Sequence, residues 1–181
     1  MEVIKPNFKK AVRAIKEGKV LVCPTDTVYG LICDAANKKA VEKLFKIKKR
    51  PRGKPIPIFV RDIKMAKKLA KINKEQELFL KQVWPGKVTV VLKSKNQGKI
   101  GLRIPKYKWL LGLAEQLNRP LTGTSANISG RPASTKIKEV LRQFKRQKHQ
   151  PDLVINAGYL KKSKPSTVID LTVWPPKILR F

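Results

Sequence analysis

The chain has 181 residues, and its 42 Lys and Arg against 12 Asp and Glu give a formal net charge of +30. A hydrophobic fraction of 41% excludes a wholly disordered basic tail, and no apolar run reaches the roughly 18 residues of a membrane span. Two cysteines ten residues apart and one histidine do not form a zinc pattern. The first residues lack a signal-peptide core, so we expect a cytoplasmic protein with free thiols. The length predicts one domain over residues 1–181.

Helical repeats and short apolar runs alternate along the chain. In chain order they predict a helix after Asn7, a strand at 20–23, a helix capped by Asn37, a strand at 56–60, helices capped by Asp62 and Asn73, strands at 88–92 and 100–104, a helix over 108–117, a strand at 121–122, a polar loop at 124–134, a helix at 137–144, and strands at 153–155, 167–171 and 178–179. The alternation predicts an α/β fold, a mixed sheet covered by helices.

The distribution of charge indicates where a site lies. Residues 21–37 contain no Lys or Arg, and residues 109–135 contain only Arg119 and Arg131. Because lysine is rarely buried without a partner, we expect both lysine-poor segments to be buried or to line a cavity.

The first lysine-poor segment contains Pro-Thr-Asp-Thr-Val-Tyr-Gly-Leu at residues 24–31, directly after a predicted strand. Small hydroxyls at a strand end can bind a ligand, and Gly30 permits close backbone approach. Taken alone, these residues slightly favour the structural alternative, an ordinary turn with the threonines bonded to their own backbone.

A basic segment follows the second predicted helix. Residues 48–54 include five cations, Lys48, Lys49, Arg50, Arg52 and Lys54. Arginine and lysine together suit a polyphosphate, although cations also stabilise the carboxyl end of a helix. The prolines and glycine around them fix the path of the chain, which favours a phosphate clamp.

The second lysine-poor segment contains Thr-Ser-Ala-Asn-Ile-Ser-Gly at residues 124–130, where Ser125 and Asn127 can reach a ribose or phosphate from an extended backbone. A turn leading into the next helix is the structural alternative. No P-loop or Rossmann pattern occurs, and His149 stands in a polar stretch, so we expect chemistry by positioning and charge rather than by a covalent intermediate.

The net charge also suits a polyanion such as tRNA, although AT-rich codon usage would raise the lysine content without selection for binding. Charge alone therefore leaves nucleic-acid contact open.

Taken together, the motifs resemble the YrdC-like domain family, and within it the single-domain, bacterial-type threonylcarbamoyl-AMP synthases. The resemblance covers nearly the whole chain. It is carried, in the family's order, by residues 24–31, Lys48-x-Arg50 with Lys54-Pro55, Trp-Pro-Gly at 84–86, Gly-Leu-Arg-Ile-Pro at 101–105, residues 124–130, Ser-Thr-Val at 166–168 and Leu179-Arg180.

This resemblance implies a YrdC-like fold with a concave basic face and a nucleotidyltransferase activity. L-threonine, bicarbonate and ATP, with Mg²⁺, would give threonylcarbamoyl-AMP and pyrophosphate. The product would serve threonylcarbamoyladenosine formation at position 37 of tRNA. Expected partners are tRNA or double-stranded RNA, and transiently the tRNA threonylcarbamoyl transferase proteins, with no membrane contact.

By position in the motifs, the resemblance implies that Lys48 and Arg50 are catalytic and grip the phosphates of ATP. Arg180 would be a further phosphate clamp, and Ser125 and Asn127 would bind the nucleotide.

For threonine, the resemblance implies contacts from Thr25 and from Arg103, the latter to the carboxylate, with Ser166 nearby. Thr27 and Lys54 match motif positions whose roles are less defined, and no metal ligand is implied.

Two positions stand apart. The resemblance assigns no role to Asp26, and Phe59 occupies a position where some relatives carry a histidine that contacts threonine.

Two other functions are compatible with the fold: a non-catalytic double-stranded RNA or tRNA-binding module, and the carbamoyl-adenylating domain of hydrogenase-maturation proteins. The latter proteins carry additional domains and zinc-finger cysteines that this chain does not have.

Overall fold

The computed structural model describes residues 1–51 and 53–181. Arg52, one of the cations of the predicted phosphate clamp, lies outside the described residues. The described part contains six helices: α1 (Phe8–Lys16), α2 (Lys38–Lys48), α3 (Ile63–Leu69), α4 (Lys74–Val83), α5 (Lys108–Leu117) and α6 (Ile137–Phe144). It contains twelve strands: β1 (Glu2–Ile4), β2 (Leu21–Cys23), β3 (Gly30–Ile32), β4 (Ile58–Phe59), β5 (Ala70–Lys71), β6 (Val88–Ser94), β7 (Lys99–Arg103), β8 (Leu121–Thr122), β9 (Thr124–Ser125), β10 (Leu153–Ile155), β11 (Thr167–Asp170) and β12 (Lys177–Arg180).

The predicted helix starts are confirmed. The side chains of Asn7, Asn37, Asp62 and Asn73 each accept a hydrogen bond from a backbone N–H in the first turn of α1, α2, α3 and α4. At Asn73 the side chain of Gln76 bonds back to the cap backbone, which completes a capping box.

The strands form two mixed sheets rather than the one sheet expected from the sequence. The first has the order β1-β10-β2-β3-β9, and the second has the order β12-β11-β6-β7-β4-β8, with β5 paired to β6. The chain crosses from the second sheet to the first at Gly123, because β8 ends at residue 122 and β9 begins at residue 124. Gly123 itself donates its backbone N–H to the carbonyl of Pro57 at 2.7 Å.

Each sheet is covered by helices that bury its apolar side chains. On β2, Leu21 and Cys23 pack with α1 and α5, whereas Val22 and the preceding Val20 face the cluster that contains α2 and α6. The second sheet packs against α3 and α4. Helices therefore hold the strand ends of both sheets in fixed positions around the seam at Gly123.

Both thiols are free and buried, as expected, and burial raises the pKa of Cys33 to about 12. Among the described residues, no helix is both long and apolar enough to cross a bilayer.

Candidate functional site

A cavity of about 520 Å³ lies at the seam between the two sheets. Both lysine-poor segments contribute to its wall, at residues 25 and 27–30 and at residues 123–125, 127, 129 and 130, which confirms the expectation drawn from the charge distribution. The structure also brings all ten of the predicted site residues to this wall: Thr25, Thr27, Lys48, Arg50, Lys54, Arg103, Ser125, Asn127, Ser166 and Arg180. Their individual roles stay predictions, and the local geometry of each group limits what it can do.

Lys48, the last residue of α2, is a buried lysine and only 2% exposed. Its ammonium donates to the backbone oxygen of Ser125 at 2.7 Å and to Asn127, at 2.7 Å to Oδ1 and 3.2 Å to the backbone oxygen. Burial and the neighbouring Arg50 lower the pKa of Lys48 to about 7. Since protein oxygens take up its hydrogens, Lys48 acts on an anion in the cavity mainly through its charge.

The side chain of Asn127 holds the loop that follows β9. Its Oδ1 also accepts a hydrogen bond from the hydroxyl of Ser125 at 2.7 Å, and its Nδ2 donates to the backbone oxygens of Ile128 and Arg131. This network ties the loop to the end of α2. Beside it, the buried hydroxyl of Ser129 has no partner among the described residues.

Two guanidinium groups are aimed by backbone carbonyls. Arg50 donates from Nε to the oxygen of Lys54 and from Nη2 to the oxygen of Pro55, both at 2.9 Å. Arg180 donates from Nε and Nη2 to the oxygen of Ser166, at 3.1 and 2.7 Å. Carbonyl oxygens fix the direction of a guanidinium without neutralising it, so both groups keep their full charge for an anion.

The loop between β2 and β3 has a self-contained hydrogen-bond network. The hydroxyl of Thr25 donates to the oxygen of Val28 at 2.7 Å and accepts from the backbone N–H of Thr27 at 3.0 Å. The two threonine hydroxyls lie 3.1 Å apart. Because the only hydroxyl proton of Thr25 is already used, the hydroxyl of Thr27 donates to it. The hydrogen-bonded turn therefore itself forms part of the cavity wall.

Arg103, at the end of β7, differs from Lys48, Arg50 and Arg180 because a carboxylate pairs with it. Its Nη2 donates to both oxygens of Asp26 at 2.7 Å, and its Nε donates to the oxygen of Gly86 at 2.8 Å. The side chains of the pair are 3% and 7% exposed. The ring of Phe59 lies against the guanidinium, with 5.7 Å from Cζ to the ring centroid.

The cavity wall is strongly cationic. Its described lining residues include six cations and no carboxylate: Lys48, Arg50, Lys54, Lys99, Arg103 and Arg180. Lys99 pairs with Asp170 at 2.9 Å and Arg103 with Asp26, so four of the six have no carboxylate partner among the described residues. Such a wall suits a ligand that carries several negative charges.

The same donor set bears on a metal ion. No group of His, Cys, Asp and Glu that could hold a metal occurs in the described part of the chain. Mg²⁺ prefers carboxylate and phosphate oxygens, so the lining residues do not fit a resident Mg²⁺ site.

Sequence analysis missed three features of the site. Thr89 on β6 shares a 2.8 Å hydrogen bond with Ser166, and Lys99 lines the wall. Thr89 could have been noticed as the one polar residue in the predicted strand at 88–92, but its pairing with Ser166 requires the sheet order. Asp26 has a defined partner, which no local pattern indicated. His149 is exposed, as expected.

Comparison with known proteins agrees with this architecture. The profile of the Sua5/YciO/YrdC family, described as telomere recombination, matches residues 13–181. A threonylcarbamoyl-AMP synthase of Pyrococcus abyssi is 36% identical over 176 residues, which cover 92% of this chain and 51% of that protein. The chain thus spans about half the length of this relative.

Two solved structures share the fold. P. abyssi Sua5 complexed with L-threonine has a TM-score of 0.88 at 34% identity, covering 99% of this chain and 56% of that one. Escherichia coli YciO has a TM-score of 0.85 at 29% identity, covering 99% and 93%. The YrdC-like fold inferred from the sequence is confirmed.

Proposed function

Because this chain belongs to the Sua5/YciO/YrdC family, we propose that it converts L-threonine, bicarbonate and ATP into threonylcarbamoyl-AMP and pyrophosphate. The observation that carries the proposal is the charge on the wall of one cavity. Lys48, Arg50, Lys54 and Arg180 have no carboxylate partner among the described residues, while Arg103 forms a buried ion pair with Asp26.

The unpaired cations suit the triphosphate. ATP carries about four negative charges at neutral pH, and guanidinium groups bind phosphate oxygens in forked geometry. Arg50 and Arg180 present their remaining donors to the cavity, and Lys48 adds its buried charge. Ser125 and Asn127 would position the nucleotide through the loop that they build.

The paired arginine suits an amino acid. We expect Arg103 to bind the carboxylate of threonine, with Thr25, Thr27 and Ser166 around its hydroxyl and amine. The solved complex of P. abyssi Sua5 with L-threonine supports this choice of substrate, because its fold superposes on 99% of this chain.

The reaction needs no nucleophile from the protein. The threonine amine attacks the carbon of bicarbonate, and loss of water leaves a carbamate. A carbamate oxygen then attacks the α-phosphorus of ATP, the bond from that phosphorus to the bridging oxygen breaks, and pyrophosphate leaves with the electron pair. The cavity contributes by holding the reactants in line and by stabilising the charge that develops on pyrophosphate.

Mg²⁺ would enter this site with ATP, held by phosphate oxygens and water. The protein's cations would share its task of neutralising the leaving group.

We further propose that the product serves tRNA modification and that tRNA touches the same molecule. The net charge of +30 and exposed lysines such as Lys161, Lys162 and Lys164 support an electrostatic contact with RNA.

The proposal predicts a specific product. Mass spectrometry of a reaction with ATP, bicarbonate and isotopically labelled threonine should detect labelled threonylcarbamoyl-AMP, and pyrophosphate release should require all three substrates. Replacement of Arg50 by Ala should lower the rate of pyrophosphate release at least 100-fold, because a phosphate contact is lost.

The matched control is Arg13→Ala, since Arg13 is exposed on α1 and its one ion pair among the described residues is with Glu17. It should keep the parental rate. Threonine-independent pyrophosphate release, or parental activity in the Arg50 variant, would contradict the proposal.

A further inference from the structure

Asp26 contacts the guanidinium of Arg103 but does not line the cavity. The three nitrogens of that guanidinium have different hydrogen-bond partners. Nε donates to the backbone oxygen of Gly86, and Nη2 donates to both carboxylate oxygens of Asp26. Nη1 has no partner among the described residues, although Arg103 lines the cavity. Nη1 is thus the part of the group that is offered to a ligand.

The carboxylate of Asp26 is itself held in place. Its Oδ2 accepts from the backbone N–H of Lys106 at 2.9 Å, which ties it to the chain beyond β7. On either side of it, Thr25 and Thr27 line the cavity and are locked by their own hydrogen bonds. Thr25 and Thr27 therefore face the cavity, while Asp26 between them meets Arg103.

The pair also divides the charge of the site. Arg50 and Arg180 are aimed by carbonyls and stay fully cationic, whereas the charge of Arg103 is balanced by a buried carboxylate. A triphosphate is drawn to net positive charge and is attracted less by a neutral pair. A single carboxylate can still bind Nη1 through a directional, charge-assisted hydrogen bond.

We propose that Asp26 is a positioning residue that decides which anion Arg103 receives. It presents Nη1 to the carboxylate of the amino acid, and its charge keeps the triphosphate away from Arg103. The inference rests on the proposed function and adds a specificity role for a residue outside the cavity wall.

The test is equilibrium binding to the full chain by titration calorimetry, with L-threonine and the non-hydrolysable analogue α,β-methylene-ATP. In the parent the two ligands should bind together without competition. In Asp26→Asn the dissociation constant for threonine should rise about tenfold, because Nη1 is no longer held in place. The analogue should bind at least as tightly as before and should now compete with threonine, because Arg103 has become a net cation.

The matched control is Asp34→Asn. Asp34 is equally buried and pairs with Arg119 at 2.6 Å, but neither residue lines the cavity. It should leave both dissociation constants within twofold of the parent. If the role of Asp26 were merely structural, Asp26→Asn would weaken the binding of both ligands together. That result would overturn the proposal, and so would unchanged binding of threonine.

If Asp26→Asn does not fold, Phe59→Leu tests the same guanidinium from its other face. Removal of the ring should raise the dissociation constant for threonine at least threefold. The dissociation constant for the ATP analogue should stay within twofold of the parent, since the charge of Asp26 remains. The proposal would be overturned if Phe59→Leu weakened the binding of both ligands equally, or if it left the binding of both unchanged. A parent chain that binds no threonine at all would instead overturn the proposed function, and this inference with it.

Discussion

At the scale of single residues, Lys48 shows how far sequence reasoning reaches. Its place in a basic segment after a helix predicted a cation for phosphates, and the structure puts it on the cavity wall. The sequence could not predict that Lys48 is almost fully buried and bonded to Ser125 and Asn127, because those oxygens come from a loop 77 and 79 residues away. Asp26 was missed for the same reason, since its partner is also 77 residues distant.

The lowered pKa of Lys48, about 7, makes nucleotide affinity depend on pH. Below pH 7 the ammonium is charged and attracts phosphate. As the pH rises above 7 the free protein loses this proton, and ATP binding must restore it, so the affinity should fall by up to about tenfold per pH unit. Titration of α,β-methylene-ATP between pH 6 and 9 measures the slope.

Replacement of Lys48 by Met removes the titrating group. This variant should bind the analogue more weakly at pH 6 and should lose most of the decline above pH 7. An unchanged slope in Lys48→Met would assign the pH dependence to another group.

At the scale of elements, long patterns were predicted reliably and short ones unevenly. Helices and longer strands were predicted because each shows several turns or alternations of its pattern, and the short strands β2, β4, β8 and β10 were also predicted. The other short strands were missed: β3 and β9 were read as turn and loop, and β1 and β5 were not predicted, because two or three residues carry too little periodicity. The pairing of β3 with β9 adds the strand after Gly123 to the edge of the first sheet, and this long-range pairing has no local signal.

Gly123, at the crossing between the sheets, has no room for a side chain. A Cβ there would lie 2.9 Å from the ring of Phe59, which must then shift or the strands must separate. We expect Gly123→Ala to lower the free energy of unfolding by about 1–3 kcal/mol, as overpacking does. Denaturant unfolding measures the change.

Gly101→Ala on β7 is the control, because a Cβ there would meet its neighbours at 3.6 Å, an ordinary contact. Its stability should stay within about 0.5 kcal/mol of the parent, the usual range for substitutions without strain. Equal losses in both variants would show that space at Gly123 is not the cause.

At the scale of the whole molecule, charge organises the chain. Cations cover the surface, and the two stretches almost free of them form the wall of the cavity, so this part of the site could be located from sequence alone. The cations that do enter the wall come from the end of α2 and the loop after it, from both ends of β7 and from the end of β12, and only the folded topology brings them together.

A net charge of +30 also strains the folded state through self-repulsion. Raising NaCl from about 0.05 to 0.5 M shortens the screening length and should raise Tm by about 2–4 °C for each 1 kcal/mol of repulsion relieved. Thermal unfolding followed by circular dichroism gives this dependence.

Replacement of Lys161, Lys162 and Lys164 by Glu lowers the net charge by six and should reduce the rise in Tm. These lysines are exposed and are absent from the wall of the cavity, so pyrophosphate release should be kept. A Tm that falls with salt in the parent would show that attractive pairs dominate over repulsion.

The position of the cavity at the crossing of the two sheets couples the ligands to each other. ATP would touch Lys48 and Ser125 beside the first sheet and Arg180 on the second, and so would hold the two halves of the protein in one relative arrangement. Threonine, bound between the β2–β3 loop and β7, needs the same arrangement. Because both substrates would bind to this same arrangement, each should raise the affinity for its companion by the same factor.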